Sequence, residues 1–422
     1  MQIRFSATLV AAVAGLSLVL GGLVVTPHAQ AADKAAEKPP TISKKVMKPL
    51  KAGLDLANQG KYPEAEAELR AADAIEGKTP FEQFQVDELL GFVALKQAKY
   101  KDAAQLYERG LESGLLPADQ VNDRLRLLAQ LYFQPNLRDL NKVIAYGNRW
   151  LEASATRDPV MLGLVGQASY FNNDFSAASS FMKEAVAGAV AAGQKPEESW
   201  LLILQNSYSK LKNDPGVVDA TVELVRYFPR KEHWITLSSG LLRQASTKEL
   251  EILQVFRLLY VVDAMDSADD FTEAANVATR LGSPGEALKF MERGYALKIL
   301  DTSGDKQKSS EILETAKRQV ADDRKTLPQF EKEAMAAKAG EADVKLGEAF
   351  LSYDQPAKAV EAMQRGIAKG GVKSLDDANL SLGRASLAAG DRAAAELAFG
   401  LVKKPDYALL TRLWLIHTTQ QP

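Results

Sequence analysis

Carboxylates gather most densely in DAMDSADD, where Asp263, Asp266, Asp269 and Asp270 offer oxygen ligands to a hard cation. An EF-hand loop needs such ligands at alternate places around a central glycine, and this stretch has neither. Its aspartates read instead as caps for a helix starting near Phe271. Imidazole chemistry is confined to three residues, His28, His233 and His417. His233 and Trp234 follow Pro229-Arg230-Lys231 and read as the start of a helical hairpin, with Trp234 in its large apolar place. The chain has no cysteine, which excludes disulfides, thiolate metal sites, a cysteine nucleophile and a lipid-modified N-terminal cysteine. No phosphate loop of the form G-x-x-x-x-G-K-[ST], no G-x-G-x-x-G, no G-x-S-x-G and no H-E-x-x-H occurs. The expectation is a protein without metal or cofactor that is not an enzyme.

With 46% hydrophobic and 25% charged residues, the chain of 422 can bury a large core. Its formal charge of −2 gives no global reason to expect nucleic acid or an anionic membrane as the main ligand.

The elements that would position any site are repeated. LGFVALKQAKYKDAAQLYERG (90–110) and LGEAFLSYDQPAKAVEAMQRG (346–366) align Gly91 with Gly347, Ala103 with Ala359 and Tyr107 with Met363. A small residue in a first helix admits a second helix, an alanine of that helix packs into the gap, and a large residue one turn on fills the space beyond. Apolar positions recur at helical spacing. The same triplet appears as Gly53, Ala65, Leu69; as Gly166, Ala178, Met182; and as Gly383, Ala395, Phe399, with Ala287 and Met291 from a further second helix. Alanine markers at 65, 103, 178, 287, 359 and 395 lie 38, 75, 109, 72 and 36 apart, close to multiples of one unit. Weaker copies fill the gaps near residues 130, 200, 240 and 310, the last being SSEILETAKRQVADDRKTLPQFEKEAMAAKAG. The fold expected is all-α, about ten helical hairpins over residues 44–405, closed by a capping helix and tail at 406–422.

This pattern resembles the tetratricopeptide repeat family, whose unit is about 34 residues; the longer spacing here adds residues to most linkers. The resemblance implies a superhelical solenoid in which first helices line a concave groove, with places nine and twelve of each unit facing it. Counted from the small residue at place eight, these are Phe92 with Leu95, Gln130 with Phe133, Gln167 with Tyr170, and Gln205 with Tyr208. Three consecutive units thus set glutamine beside an aromatic. An amide both donates to and accepts from an extended backbone, and a ring adds apolar area at little entropic cost. Phe92, Gln130, Phe133, Gln167, Tyr170, Gln205 and Tyr208 are the candidate partner-binding residues. The opposing reading is that the aromatics pack against neighbouring repeats and the glutamines are ordinary helix formers.

The first 31 residues hold Arg4, an apolar run from Ala7 to Val25 and Ala29-Gln30-Ala31, and read as a signal peptide cleaved after Ala31. Residues 32–43 read as a flexible lead-in. The run also approaches the roughly 20 residues that span a bilayer, so an uncleaved inner-membrane anchor is the alternative, and membrane contact is expected only through it. Residues 230–400, with Gly282-Ser283-Pro284 and the linker GIAKGGVKS, look like exported bacterial repeat proteins often encoded beside TonB, ExbB and ExbD components. That resemblance implies a periplasmic scaffold holding a segment of an envelope protein, accessory to TonB-dependent energy transduction, the alternative being an anchored assembly factor of other envelope machinery.

Overall fold

The computed structural model describes residues 41–245, 248–301 and 306–420. The signal peptide and most of the lead-in therefore lie outside the described residues. The chain divides into two compact units between Ile203 and Leu204. Helices α1 (Lys44–Asn58) to α8 form four hairpins in the first: α1 with α2 (Tyr62–Asp73), α3 (Pro80–Lys96) with α4 (Tyr100–Glu112), α5 (Ala118–Phe133) with α6 (Leu140–Ala153), and α7 (Pro159–Phe171) with α8 (Phe175–Ala191). Helix α9 (Glu198–Lys210) carries the boundary and is followed by α10 (Asp214–Tyr227). The second unit continues with α11 (Lys231–Ala245) and α12 (Glu249–Val261), α13 (Ala268–Arg280) and α14 (Pro284–Ala296), and the single helix α15 (Lys306–Ala336). Then come α16 (Glu341–Ser352) with α17 (Pro356–Lys369), α18 (Leu375–Ala388) with α19 (Arg392–Gly400), and α20 (Ala408–Gln420). Among the described residues the architecture is an all-helical, tetratricopeptide-like array, and none of its helices is long and apolar enough to cross a membrane.

The triplets do the work the spacing assigns them. A Cβ on Gly53 would lie 2.5 Å from Leu69, on Gly91 2.8 Å from Tyr107, on Gly347 2.5 Å from Met363 and on Gly383 2.5 Å from Phe399. Glycine is required because only a bare backbone leaves room for the large side chain of the partner helix. The alanines Ala65, Ala103, Ala178, Ala287, Ala359 and Ala395 are fully buried. Seven of the turns inside the hairpins share one form. In the second hairpin Ala98 takes φ 56°, its N–H donates to Leu95 O at 3.0 Å, and Lys99 N–H donates to Ala94 O at 2.9 Å. These two bonds satisfy carbonyls that the end of α3 would leave orphaned. Gly60, Asn173, Lys212, Gly282, Asp354 and Gly390 occupy the same left-handed place in their hairpins.

Three expectations change. The hairpin expected over 309–340 is the continuous helix α15, with Pro328 inside it. Its 31 residues contain no glycine or asparagine, the residues that take a left-handed turn at least cost. Ser267 rather than an aspartate caps α13, while Asp270 returns the bond in a capping box. Helix α20 does cover the last hairpin, Trp414 stacking on Phe399 at 5.6 Å, but it also packs on α10. Arg412 reaches Asp219 and Glu223 at 3.0 and 2.9 Å, and Gln420 Nε2 donates to Val225 O at 2.8 Å. The second unit therefore closes on itself around a core that joins Val222, Trp234 and Phe271 to Phe399, Leu413 and Trp414.

Candidate functional site

The place-nine and place-twelve residues of the first unit sit on α3, α5 and α7, each counted from a small residue whose place is fixed by the hairpin contact. Phe92, Gln130, Phe133, Gln167 and Tyr170 are all half-buried. Among the described residues the side-chain amides of Gln130 and Gln167 make no hydrogen bond. Lys96 Nζ lies 5.4 Å from the centre of the Phe92 ring. Tyr170 is more committed: it meets Phe171 and Phe175 edge-on at 5.8 and 5.6 Å, and Phe175 opens the second helix of its own hairpin.

Gln205 and Tyr208 belong to the second unit and are likewise half-buried. Gln205 Nε2 donates to Thr221 Oγ1 at 2.7 Å, and the Tyr208 ring lies where a Cβ on Gly216 would be 2.7 Å away. Both side chains thus hold their hairpin together. The opposing reading describes Tyr170, Gln205 and Tyr208 well, whereas the side-chain amides of Gln130 and Gln167 make no bond to the described residues.

A polar cluster steadies this face. The Glu108 carboxylate on α4 accepts from Tyr132 Oη on α5 and Lys142 Nζ on α6, each at 2.7 Å, and from the Tyr146 hydroxyl. Tyr132 and Tyr146 stack with centroids 6.0 Å apart. Burial works against the Glu108 charge, but the hydrogen bonds from Lys142, Tyr146 and Tyr132 hold its carboxyl below the usual range. With every partner satisfied, the cluster fixes the α5–α6 hairpin against α4 of the hairpin before it.

In the second unit the equivalent places hold charge. Glu348 follows Gly347 on α16, and Arg384 follows Gly383 on α18. Arg257 of α12 grips Glu286 of α14 through Nε at 2.8 Å and Nη2 at 2.6 Å, and Arg384 Nη2 reaches the same carboxylate at 3.0 Å. Glu348 stands 3.6 Å from Arg257 Nη1 and accepts from Ser381 Oγ at 2.7 Å. Burial opposes the Glu286 charge, yet the two guanidiniums hold its carboxyl down at about 2. Burial and the neighbouring Arg257 charge bring Arg384 down to about 10. Here the expected open groove is filled by the chain's own ion network. Sequence reasoning missed it, although an acid and a base at place nine of two late repeats, where earlier repeats carry glutamine, were the signal.

DAMDSADD is dispersed: Asp270 serves the α13 cap and Asp263 pairs with Arg293 of α14. Among the described residues no group of three acidic or histidine side chains is placed to hold a metal ion. No family model and no curated protein matches the chain in sequence. Among solved structures it is similar to a tetratricopeptide repeat protein from Parabacteroides merdae, at 14% identity and TM-score 0.32 over 65% of this chain and 99% of that one. The C-terminal part of a TPR repeat-containing protein from Cytophaga hutchinsonii matches at 13% identity and TM-score 0.30, over 76% of this chain and 94% of that one. The chain is similar also to pilF of Pseudomonas aeruginosa, at 12% identity and TM-score 0.27 over 47% and 98%. The fold assignment stands on the hairpins themselves.

Proposed function

We propose that the protein is a non-catalytic periplasmic scaffold that holds an extended segment of an envelope protein along the first helices of its N-terminal unit. The observation that carries this reading is the pair Gln130 and Gln167, whose amides stand in register on successive first helices, half-buried and without a partner among the described residues. Amides so placed can donate to and accept from a peptide backbone, and Phe92 and Phe133 flank them with apolar area. The periplasm is supported by the leader sequence. A role beside TonB, ExbB and ExbD is supported by the resemblance of residues 230–400 to proteins encoded with them. The alternative, an inner-membrane-anchored assembly factor, is favoured by the length of the Ala7–Val25 run, and N-terminal sequencing of the protein from cells separates the two: Ala32 means a freed scaffold, Met1 an anchored one.

A photo-crosslinking amino acid at position 167 in living cells tests the groove. One envelope protein should be captured, and Phe133→Ala should weaken that partner by about 1–2 kcal/mol without lowering the melting temperature. Capture from exposed Ser180 on α8 but not from position 167 would move the binding surface to the outer face.

A further inference from the structure

Places nine and twelve of the first helices in the N-terminal unit, from Leu54 on α1 to Tyr170 on α7, hold no carboxylate, ammonium or guanidinium. Two cations nevertheless reach over the rings of this row. Lys96, in the last turn of α3, has its amine 5.4 Å from the centre of the Phe92 ring. Arg138, in the turn between α5 and α6, sets its guanidinium carbon 5.2 Å from the centre of Phe171, the ring that meets Tyr170 edge-on. Both residues are exposed, and among the described residues neither pairs with a carboxylate. Lys99 and Lys142, on the second-helix side of the same turns, are by contrast taken up by Glu66 and Glu108 at 2.6 and 2.7 Å. The carboxylates that follow in sequence, Asp102, Asp139 and Asp174, open second helices, where the positive helix pole holds them. Asp139 accepts from Lys142 N–H at 3.1 Å and Asp174 from Ala177 N–H at 2.9 Å. Beside Arg138 lies an open hollow of about 390 Å³, lined also by Leu137, Asp139, Leu140, Asn141 and Asn172. A cation resting on a ring face keeps its place and still has N–H groups for an acceptor.

We propose that the segment held in this groove carries two acidic side chains, one for Lys96 and one for Arg138. The inference rests on the proposed peptide groove and adds the chemistry of its occupant. Charge complementarity selects that chemistry. The row offers amides to a backbone and rings to apolar groups, and the two unpaired charges that overhang it share one sign. A carboxylate at each gains a rim ion pair, whereas a basic segment meets like charge at both. At Arg138 the hollow has room for such a group. There Asn141 accepts from Asn172 Nδ2 at 3.2 Å through its amide oxygen and keeps its own N–H groups for a further bond. Spacing narrows the motif. First helices packed about 8–10 Å apart put α3 and α7 roughly 20 Å apart, and an extended chain rises about 3.3 Å per residue, so the two acids stand about six residues apart.

A display library of random peptides long enough to cross the unit is panned on the full chain, and enriched peptides are titrated by fluorescence anisotropy. Their sequences should carry Asp or Glu at two places about six residues apart. Lys96→Gln and Arg138→Gln should each weaken binding about two- to fivefold with an unchanged melting curve, and added salt should act in the same direction. Replacing one acid of the peptide by its amide should cancel the effect of one cation variant and leave that of the other, which also fixes the direction of the bound chain. Enriched peptides without acids, or with affinities that ignore both variants, overturn the acidic pair; if they still crosslink from position 167, the groove itself stands. A library from which nothing is enriched and captured at position 167 removes groove and pair together. A lowered melting temperature in the variants with unchanged peptide affinity assigns both cations to their own helix ends and likewise overturns the proposal.

Discussion

At the scale of single residues, the array is set by where a Cβ can be tolerated. Gly347 and Gly383 face Met363 and Phe399 at distances no added methyl can share, so Gly347→Ala or Gly383→Ala should cost about 1–3 kcal/mol by overpacking. Gly240, inside α11 with nothing within 4 Å of its would-be Cβ, is the control: Gly240→Ala should add roughly 0.5–1 kcal/mol through helix propensity. Urea denaturation of the three variants checks both signs. These glycines were legible in the sequence because their steric requirement is met within one hairpin. The bond from Gln205 to Thr221 was not, since a glutamine that serves its own hairpin and one that faces a groove stand at the same place in the repeat. Nor was the Arg257–Glu286–Arg384 cluster: Glu286 and Arg384 are 98 residues apart, and each alone looks like an ordinary surface charge. Its presence marks geometry more than stability, since two buried guanidiniums and a carboxylate lose in desolvation much of what they gain in attraction.

At the scale of elements, the hairpin turn is the repeating decision. Ala98 adopts φ 56° although it has a Cβ and is exposed, whereas Gly60 and Gly390 take the same place at no steric cost. Ala98→Gly should therefore stabilise the second hairpin by about 1 kcal/mol, read as a higher denaturation midpoint at unchanged slope. The same logic explains α15. Helical period alone does not distinguish one long helix from two antiparallel ones; what distinguishes them is whether any residue between can turn left-handed. The α15 sequence has no glycine or asparagine for that place, although Ala98, Lys212 and Asp354 fill it in other hairpins, so spacing alone divides it wrongly. The helices flanking the candidate groove were legible from the triplets, while the side-chain partners on them depend on neighbours that periodicity does not name.

At the scale of the whole molecule, each unit has to be taken separately. In the second, α20 packs His417 edge-on to Trp414 and Trp234 at 6.1 and 6.5 Å, and burial pushes this imidazole below its ordinary value of 6.5. The folded state thus favours the neutral ring. As pH falls, the unfolded chain takes up the proton first, so this contribution is complete above 6.5 and declines below it. Thermal melts across that window should show a falling midpoint, and His417→Phe, which keeps an aromatic against both tryptophans, should flatten the slope. An unchanged slope in the variant would assign the acid sensitivity to other groups.

The seam between α20 and α10 also sets a schedule. Gln420 reaches back 195 residues to Val225, so the face of α10 that it covers is made long before its cover exists. At roughly 5–20 residues per second of synthesis the interval is about ten to forty seconds. Hairpins of the N-terminal unit can complete themselves within that time from neighbours already present. The second unit must wait for its final helix with an apolar seam uncovered.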